Sequence, residues 1–130
     1  MVPGIQRTDE TLLIILGAVL ALPYVWTARK RPWLFAAGLV IAAAIYVVFA
    51  LVDGDVLHAM GETCGVLLFA AIALGGLRWS PYLLAAGWLG HAAWDLLAHP
   101  APWWYPALCI GFDVLVAGFI AGSTSRRALR

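Results

Sequence analysis

Residues 88–113 read WLGHAAWDLLAHPAPWWYPALCIGFD, a mostly apolar stretch that contains two histidines and two aspartates. Ionisable side chains are costly inside a bilayer, and they are retained there mainly where they bind a ligand or take part in a reaction. The stretch therefore predicts a membrane-embedded fold, and it also indicates where a polar site lies within that fold.

The composition of the whole chain supports this interpretation. Of the 130 residues, 64% are hydrophobic and 12% are charged, and the mean hydropathy is +0.92. Soluble domains are closer to half apolar and a quarter charged, so the composition indicates a protein that contacts the lipid bilayer. A formal net charge of +1 without a basic stripe argues against a nucleic-acid partner. We expect a single transmembrane domain over residues 1–130.

Five apolar segments are predicted to span the membrane, since a spanning helix needs about 20 mainly apolar residues. Short polar or proline- and glycine-containing connections separate them, so neighbouring helices should run antiparallel. The sequence thus predicts an all-α, integral membrane, five-transmembrane-helix up-and-down bundle. The predicted spans are about residues 11–28, 33–52, 56–77, 82–98 and 104–122.

The basic residues predict the orientation of this bundle. With the N-terminus outside, only Arg7 lies on the outer side, and the other lysines and arginines fall on the cytoplasmic side. The positive cluster 29–31 follows the first apolar segment instead of preceding it, which indicates an uncleaved anchor and not a signal peptide. The prediction is N-out/C-in. The cytoplasmic basic residues are Arg29, Lys30, Arg31, Arg78, Arg126, Arg127 and Arg130.

The first two predicted spans contain no His, Asp, Glu, Lys or Arg, whereas such side chains recur in the last three, mostly at four-residue intervals. Residues four apart share a helix face, so each of these helices should carry one polar stripe. At 1.5 Å per residue the stripes lie roughly 5 to 14 Å below the outer helix ends, which places them in one layer. The spacing predicts a pocket that opens outward or laterally. The stripes are His58–Glu62, His91–Asp95–His99 and Cys109–Asp113.

A divalent metal site is the function favoured by this layer. Imidazole and carboxylate are ligands that Zn²⁺ and Fe²⁺ accept, and helical bundles hold such ions with inward-facing side chains. We expect Zn or Fe to support chemistry on a hydrophobic small molecule. The expected metal ligands are His58, Glu62, His91 and Asp95, and the expected catalytic groups are Glu62, Asp95 and Asp113.

Aromatic and thiol side chains near the stripes are expected to contact that substrate. Indole rings can stabilise developing positive charge through their π faces. The expected substrate-binding residues are Tyr46, Trp88, Trp94, Tyr105 and Cys109, with His99 as a further candidate.

Two other functions fit the same residues. A metal-free acid/base enzyme of the isomerase or cyclase type could act on a lipid or isoprenoid-like molecule, with one buried group donating a proton and another accepting it. His58 and Glu62 resemble the His/Glu pair of the sterol-isomerase type of membrane protein. Alternatively, the polar groups could join helices in a structural or accessory subunit, although six groups in one layer exceed what such bonding needs.

Two GxxxG spacings, Gly61–Gly65 and Gly118–Gly122, allow close approach of helix backbones. They predict either packing within one chain or a homo-oligomer.

The string GWLGHAAWDLLAH at 87–99 resembles a pattern in small uncharacterised bacterial multi-span membrane proteins. In these a His-x-x-x-Asp-x-x-His run is followed by proline- and tryptophan-rich residues, and the similarity here covers residues 85–113. His99 departs from the pattern because it follows Asp95 by four residues instead of three. The resemblance implies a multi-pass protein of a prokaryotic plasma (inner) membrane, with His91, Asp95 and Asp113 at its functional centre. It implies no particular activity.

Overall fold

A computed structural model of the chain describes residues 3–97 and 99–129, with the main chain alone for residues 3–6. The described residues form five α-helices and no strand, which confirms the all-α prediction. Ala98, the predicted end of the fourth span, and the basic Arg130 lie outside the described residues. The helices are α1 (Pro3–Ala28), α2 (Pro32–Val52), α3 (Val56–Arg78), α4 (Pro81–Trp94) and α5 (Tyr105–Ala128).

Four of these helices are long and apolar enough to cross a membrane: α1 from Arg7 onward, α2, α3 and α5. Their surfaces carry large apolar side chains, such as Leu57, Leu67 and Leu74 on α3, whereas Tyr46 and Trp88 are among the largest buried side chains. A soluble monomer rarely exposes a continuous apolar surface of this extent. The distribution is compatible with helices whose outer surface contacts lipid.

The fourth helix is shorter than predicted. It ends at Trp94 after 14 residues, or about 21 Å, instead of reaching residue 98. The N–H groups of Leu96 and Leu97 bond back to carbonyls three residues earlier, at 3.1 and 3.0 Å, so the helix tightens into turns. Proline follows at positions 100 and 102 and cannot continue the helical hydrogen bonds. The predicted extension of the α4 stripe through His99 is therefore wrong.

The helices pack in the spatial order α2, α3, α4, α5, α1, and α1 makes only sparse contact with α2. This differs from a simple up-and-down order, in which consecutive helices are the closest neighbours. Glycines explain the contact between α1 and α5. A side chain at Gly17 would overlap the main chain of Leu108, and one at Gly111 would overlap the main chain of Ile14. The two backbones touch because neither glycine has a Cβ.

The predicted GxxxG glycines behave differently. Gly65 packs against the indole ring of Trp94, whereas a Cβ at Gly61, Gly118 or Gly122 would meet no described atom within 4 Å. Three of the four therefore leave open surface on α3 and α5. A homo-oligomer through these faces stays a prediction.

The α1–α5 contact can be tested with Gly111→Ala and its control Gly118→Ala. The first should lower the stability of the detergent-solubilised protein by about 1–3 kcal/mol, because the added methyl overlaps a neighbouring backbone. The second should be neutral or stabilising by up to about 1 kcal/mol, because alanine favours the helix more than glycine. Thermal unfolding followed by circular dichroism measures both. Equal midpoints for the two variants would contradict the close approach of α1 and α5.

Candidate functional site

The polar side chains meet near the turns that join α2 to α3 and α4 to α5. Gly54 takes a positive φ of 73° between α2 and α3, a backbone conformation that glycine adopts without strain. The Asp55 carboxylate then caps α3 by accepting the backbone N–H of His58 at 2.9 Å. This cap fixes the first turn of α3 and so directs His58 and Glu62 toward α4.

The structure groups these side chains into two triads. The outer triad consists of His58, Glu62 and His99, and the inner triad consists of His91, Asp95 and Asp113. In each triad one potential ligand atom per residue lies within 4.8 Å of the other two. The four ligands expected to share one ion are thus divided, with His58 and Glu62 in the outer triad and His91 and Asp95 in the inner one.

Glu62 is the centre of the outer triad. Its Oε1 lies 3.3 Å from His58 Nε2 and also contacts His99 Nδ1, and its Oε2 accepts the indole N–H of Trp94 at 3.0 Å. Glu62 is 3% exposed, whereas the His58 side chain is 34% exposed and connects the triad to the surface. The outer triad is therefore a buried carboxylate with two imidazoles, one of them accessible.

An acceptor on the far side of each imidazole influences which ring nitrogen carries the proton. His99 Nε2 lies 2.6 Å from the Trp94 carbonyl, which can only accept, so Nε2 carries a proton. His58 Nδ1 faces the Asp55 carboxylate at 3.9 Å, which favours a proton on that nitrogen. In the neutral rings both remaining nitrogens then turn lone pairs toward Glu62. Two acceptor atoms that face each other need a proton or a cation between them. Metal-bound histidines likewise donate their second ring N–H to a carbonyl or carboxylate group.

A cleft of about 270 Å³ opens onto the outer triad. Its walls include Gly61 and Leu97, together with Trp94 and the three triad residues. Gly61 has no side chain to fill this space, so a small molecule or water can reach the facing nitrogens from the surface.

The inner triad is closed to solvent. His91 Nδ1 lies 2.7 Å from Asp113 Oδ2 and 3.7 Å from Asp95 Oδ2, and the Tyr46 hydroxyl donates to Asp95 Oδ1 at 2.5 Å. One carboxylate oxygen of Asp95 and one of Asp113 lie within 4.8 Å of each other. His91 Nε2 and Asp95 Oδ2 are buried and have no hydrogen-bond partner among the described residues. Buried polar atoms are normally paired, so these two mark an incomplete set of contacts.

The charge of the inner triad is also unbalanced. The buried charged side chains among the described residues are three carboxylates and His91, with no lysine or arginine. Two ionised carboxylates beside one imidazole leave a negative surplus in an apolar interior, which is costly. Shared protons or a bound cation must therefore accompany Asp95 and Asp113.

Aromatic rings connect the triads. The ring of Tyr46 stacks on His99 with centroids 4.0 Å apart, while its hydroxyl binds Asp95. Phe69 lies between His91 and Trp94, with centroid distances of 5.1 and 5.9 Å. Sequence reasoning did not include Phe69, because a phenylalanine within an apolar span carries no local signal. Pro100 and Pro102 were the sequence signal that His99 lies beyond the end of α4 and not on its polar stripe.

The remaining predicted substrate-binding residues lie in different surroundings. Trp88, Tyr105 and Cys109 line an apolar cavity of about 370 Å³ between α1, α2 and α5, and Asp113 lies in its wall. Trp94 lines the outer cleft instead, and Tyr46 bonds to the inner triad. The predicted roles of these residues, and the catalytic roles of Glu62, Asp95 and Asp113, stay predictions.

No protein-family model, curated protein or solved structure matches this chain. The resemblance seen in residues 87–99 is thus not assigned to a family. The His, Asp and Glu side chains nevertheless form groups that fit a His–Asp–His arrangement and are compatible with a metal site.

Proposed function

We propose that this is a five-span membrane protein of a prokaryotic plasma (inner) membrane, oriented N-out/C-in, that uses a divalent metal to act on a hydrophobic molecule. The segment 95–104 would complete the crossing that α4 begins, since α4 alone spans about 21 Å of a hydrocarbon core about 30 Å thick. The positive-inside distribution supports this arrangement because it requires an odd number of crossings.

The single observation that carries the metal proposal is the His99 hydrogen bond to the Trp94 carbonyl. It holds the proton on Nε2 and leaves Nδ1 facing Glu62. Two imidazole nitrogens and one carboxylate form the protein ligand set of many catalytic zinc sites and of non-haem iron sites. We therefore assign Zn²⁺ or Fe²⁺ to His58, Glu62 and His99, with an open position toward the cleft.

The metal would supply Lewis acidity to a bound oxygen atom. Trp94 would hold Glu62 through its indole N–H and His99 through its carbonyl, so one residue orients two ligands. Tyr46 would keep His99 in place by stacking, and it would hold Asp95 by hydrogen bonding. The apolar cavity beside Asp113 supports the assignment of a hydrophobic substrate.

A metal-free acid/base enzyme, of the isomerase or cyclase type, is the second candidate. The inner triad favours it, because an imidazole and two carboxyl groups whose ligand atoms lie within 4.8 Å of one another can retain a proton and return it to a substrate. A purely structural role for the inner triad fits less well, since joining helices would leave no buried atom without a partner.

The orientation can be tested in a background that lacks Cys64 and Cys109, using Asp53→Cys and Lys30→Cys. A membrane-impermeant maleimide should label the first variant in intact cells, because residue 53 lies in a predicted outer turn. It should label the second only after the membrane is permeabilised. The reverse pattern would overturn N-out/C-in.

The metal assignment can be tested by elemental analysis of protein purified without a chelator or a metal-affinity tag. Wild type should hold about one equivalent of Zn or Fe, and Glu62→Gln and His99→Ala should lose it, because each removes a ligand. The matched control His91→Ala should retain the metal. Metal retained in His99→Ala but lost in His91→Ala would place the ion in the inner triad, and metal-free wild type would favour the acid/base enzyme.

A further inference from the structure

The apolar cavity lies along the seam between α1 and α2, which is the loosest contact between consecutive helices. The backbone contacts of Gly17 and Gly111 hold α1 against α5, and α2 packs mainly on α3. The connection 29–31 joins α1 and α2 at one end, yet the two helices make few contacts with each other. The cavity of about 370 Å³ lies between them, lined by residues of both.

The rim of the seam faces the lipid-exposed surface. Leu20 on α1 and Ile41 on α2 line the cavity and are 49% and 61% exposed. At the end near the 29–31 connection, the Tyr24 hydroxyl donates to the Leu34 carbonyl at 2.6 Å and ties α1 to α2. A molecule would therefore enter sideways from the bilayer, above this tie, and not from the cytoplasmic end.

The inner wall of the cavity combines aromatic rings with one carboxyl group. Trp88 and Phe112 pack against each other and against Tyr24, with centroid distances of 5.4 to 6.0 Å. Asp113 is the single aspartate or glutamate of the lining, and its Oδ2 is bound to His91 of the inner triad. The cavity thus offers a large apolar surface and one carboxyl group, which accepts hydrogen bonds more strongly than the tyrosine hydroxyls and the thiol of the same lining.

We propose that the seam binds one single-chain or isoprenoid alcohol from the bilayer, with its apolar body on Trp88 and Phe112 and its hydroxyl donating to Asp113. The volume is near the lower end of small-molecule pockets, about 300–1,000 Å³, and suits one chain and not the two chains of a phospholipid. This inference specifies the substrate class of the proposed function and rests on it for any reaction; the binding itself does not require the metal.

The charge of the ligand determines whether the cavity accepts it, which favours an alcohol over a fatty or isoprenoid acid. Asp113 adjoins Asp95 in a triad whose two carboxyl groups already need a shared proton or a cation to neutralise them, so a further carboxylate in the cavity would add an uncompensated buried charge. A hydroxyl brings no charge and provides the donor that a carboxylate accepts. The seam should therefore discriminate between an alcohol and the acid of the same carbon skeleton.

The two native cysteines provide a test within one molecule. Cys109 lines the cavity, whereas Cys64 is exposed on α3 and is not part of the cavity lining. Farnesol at ten times its Kd should slow the modification of Cys109 by N-ethylmaleimide about tenfold, because only the empty fraction reacts. The rate at Cys64 should not change, and farnesoic acid should protect neither thiol.

Two variants and a second readout complete the test. Ile41→Trp should close the rim and abolish the protection by farnesol, whereas Val48→Trp, at an exposed α2 position outside the cavity lining, should not. Native mass spectrometry should find one farnesol per wild-type chain and none in Ile41→Trp. Absence of bound farnesol, equal binding of farnesoic acid, or equal losses in both tryptophan variants would overturn the proposal.

Metal analysis of the same samples distinguishes this failure from a failure of the proposed function. Metal-loaded protein that does not bind farnesol would refute alcohol binding in the seam and leave the metal assignment intact. Farnesol-binding protein without metal would refute the metal assignment alone.

Discussion

The structure depends on neutralising three carboxyl groups inside an apolar bundle. Glu62, Asp95 and Asp113 are each at most 3% exposed, and no lysine or arginine is buried among the residues described. Each carboxyl group has at least one partner on another element: Glu62 on α3 bonds to Trp94 and His99, Asp113 on α5 to His91 of α4, and Asp95 to Tyr46 of α2. Because an unpaired buried charge costs several kcal/mol, about as much as a typical margin of stability, these contacts determine how α3, α4 and α5 face each other.

The two triads differ in the direction from which they can be reached. The outer triad opens through the cleft beside His58, whereas the inner triad borders the cavity between α1 and α2 through Asp113. Tyr46 is buried between the cleft and the cavity: its ring stacks on His99 of the cleft wall and packs edge-on against Tyr105 of the cavity wall, and its hydroxyl binds Asp95. In the proposed function a metal ion arrives from the aqueous side and an apolar molecule arrives from the bilayer. The two meet across this tyrosine without sharing an access route.

Helix periodicity predicted much of this arrangement, because it determines the direction of side chains around a single helix. The four-residue spacings placed His58 with Glu62 and His91 with Asp95, and both pairs do share a triad. Periodicity does not give the rotation and offset between helices, so the division into two triads could not be predicted. His99 does not lie on the α4 stripe, because α4 ends at Trp94, before the prolines at 100 and 102. The seam has no sequence signal either, since Leu20 and Ile41 resemble any lipid-facing residue.

X-ray absorption at the edge of the bound metal can show whether His58, Glu62 and His99 coordinate one divalent ion. Coordination by these residues should give a first shell of nitrogen and oxygen at about 2.0–2.2 Å, with the multiple-scattering signature of two imidazoles and no sulfur. In His99→Ala reloaded with excess metal, one imidazole should be lost from that shell. A shell that contains sulfur, or one whose imidazole signal is the same in wild type and His99→Ala, would show that the outer triad does not bind the ion.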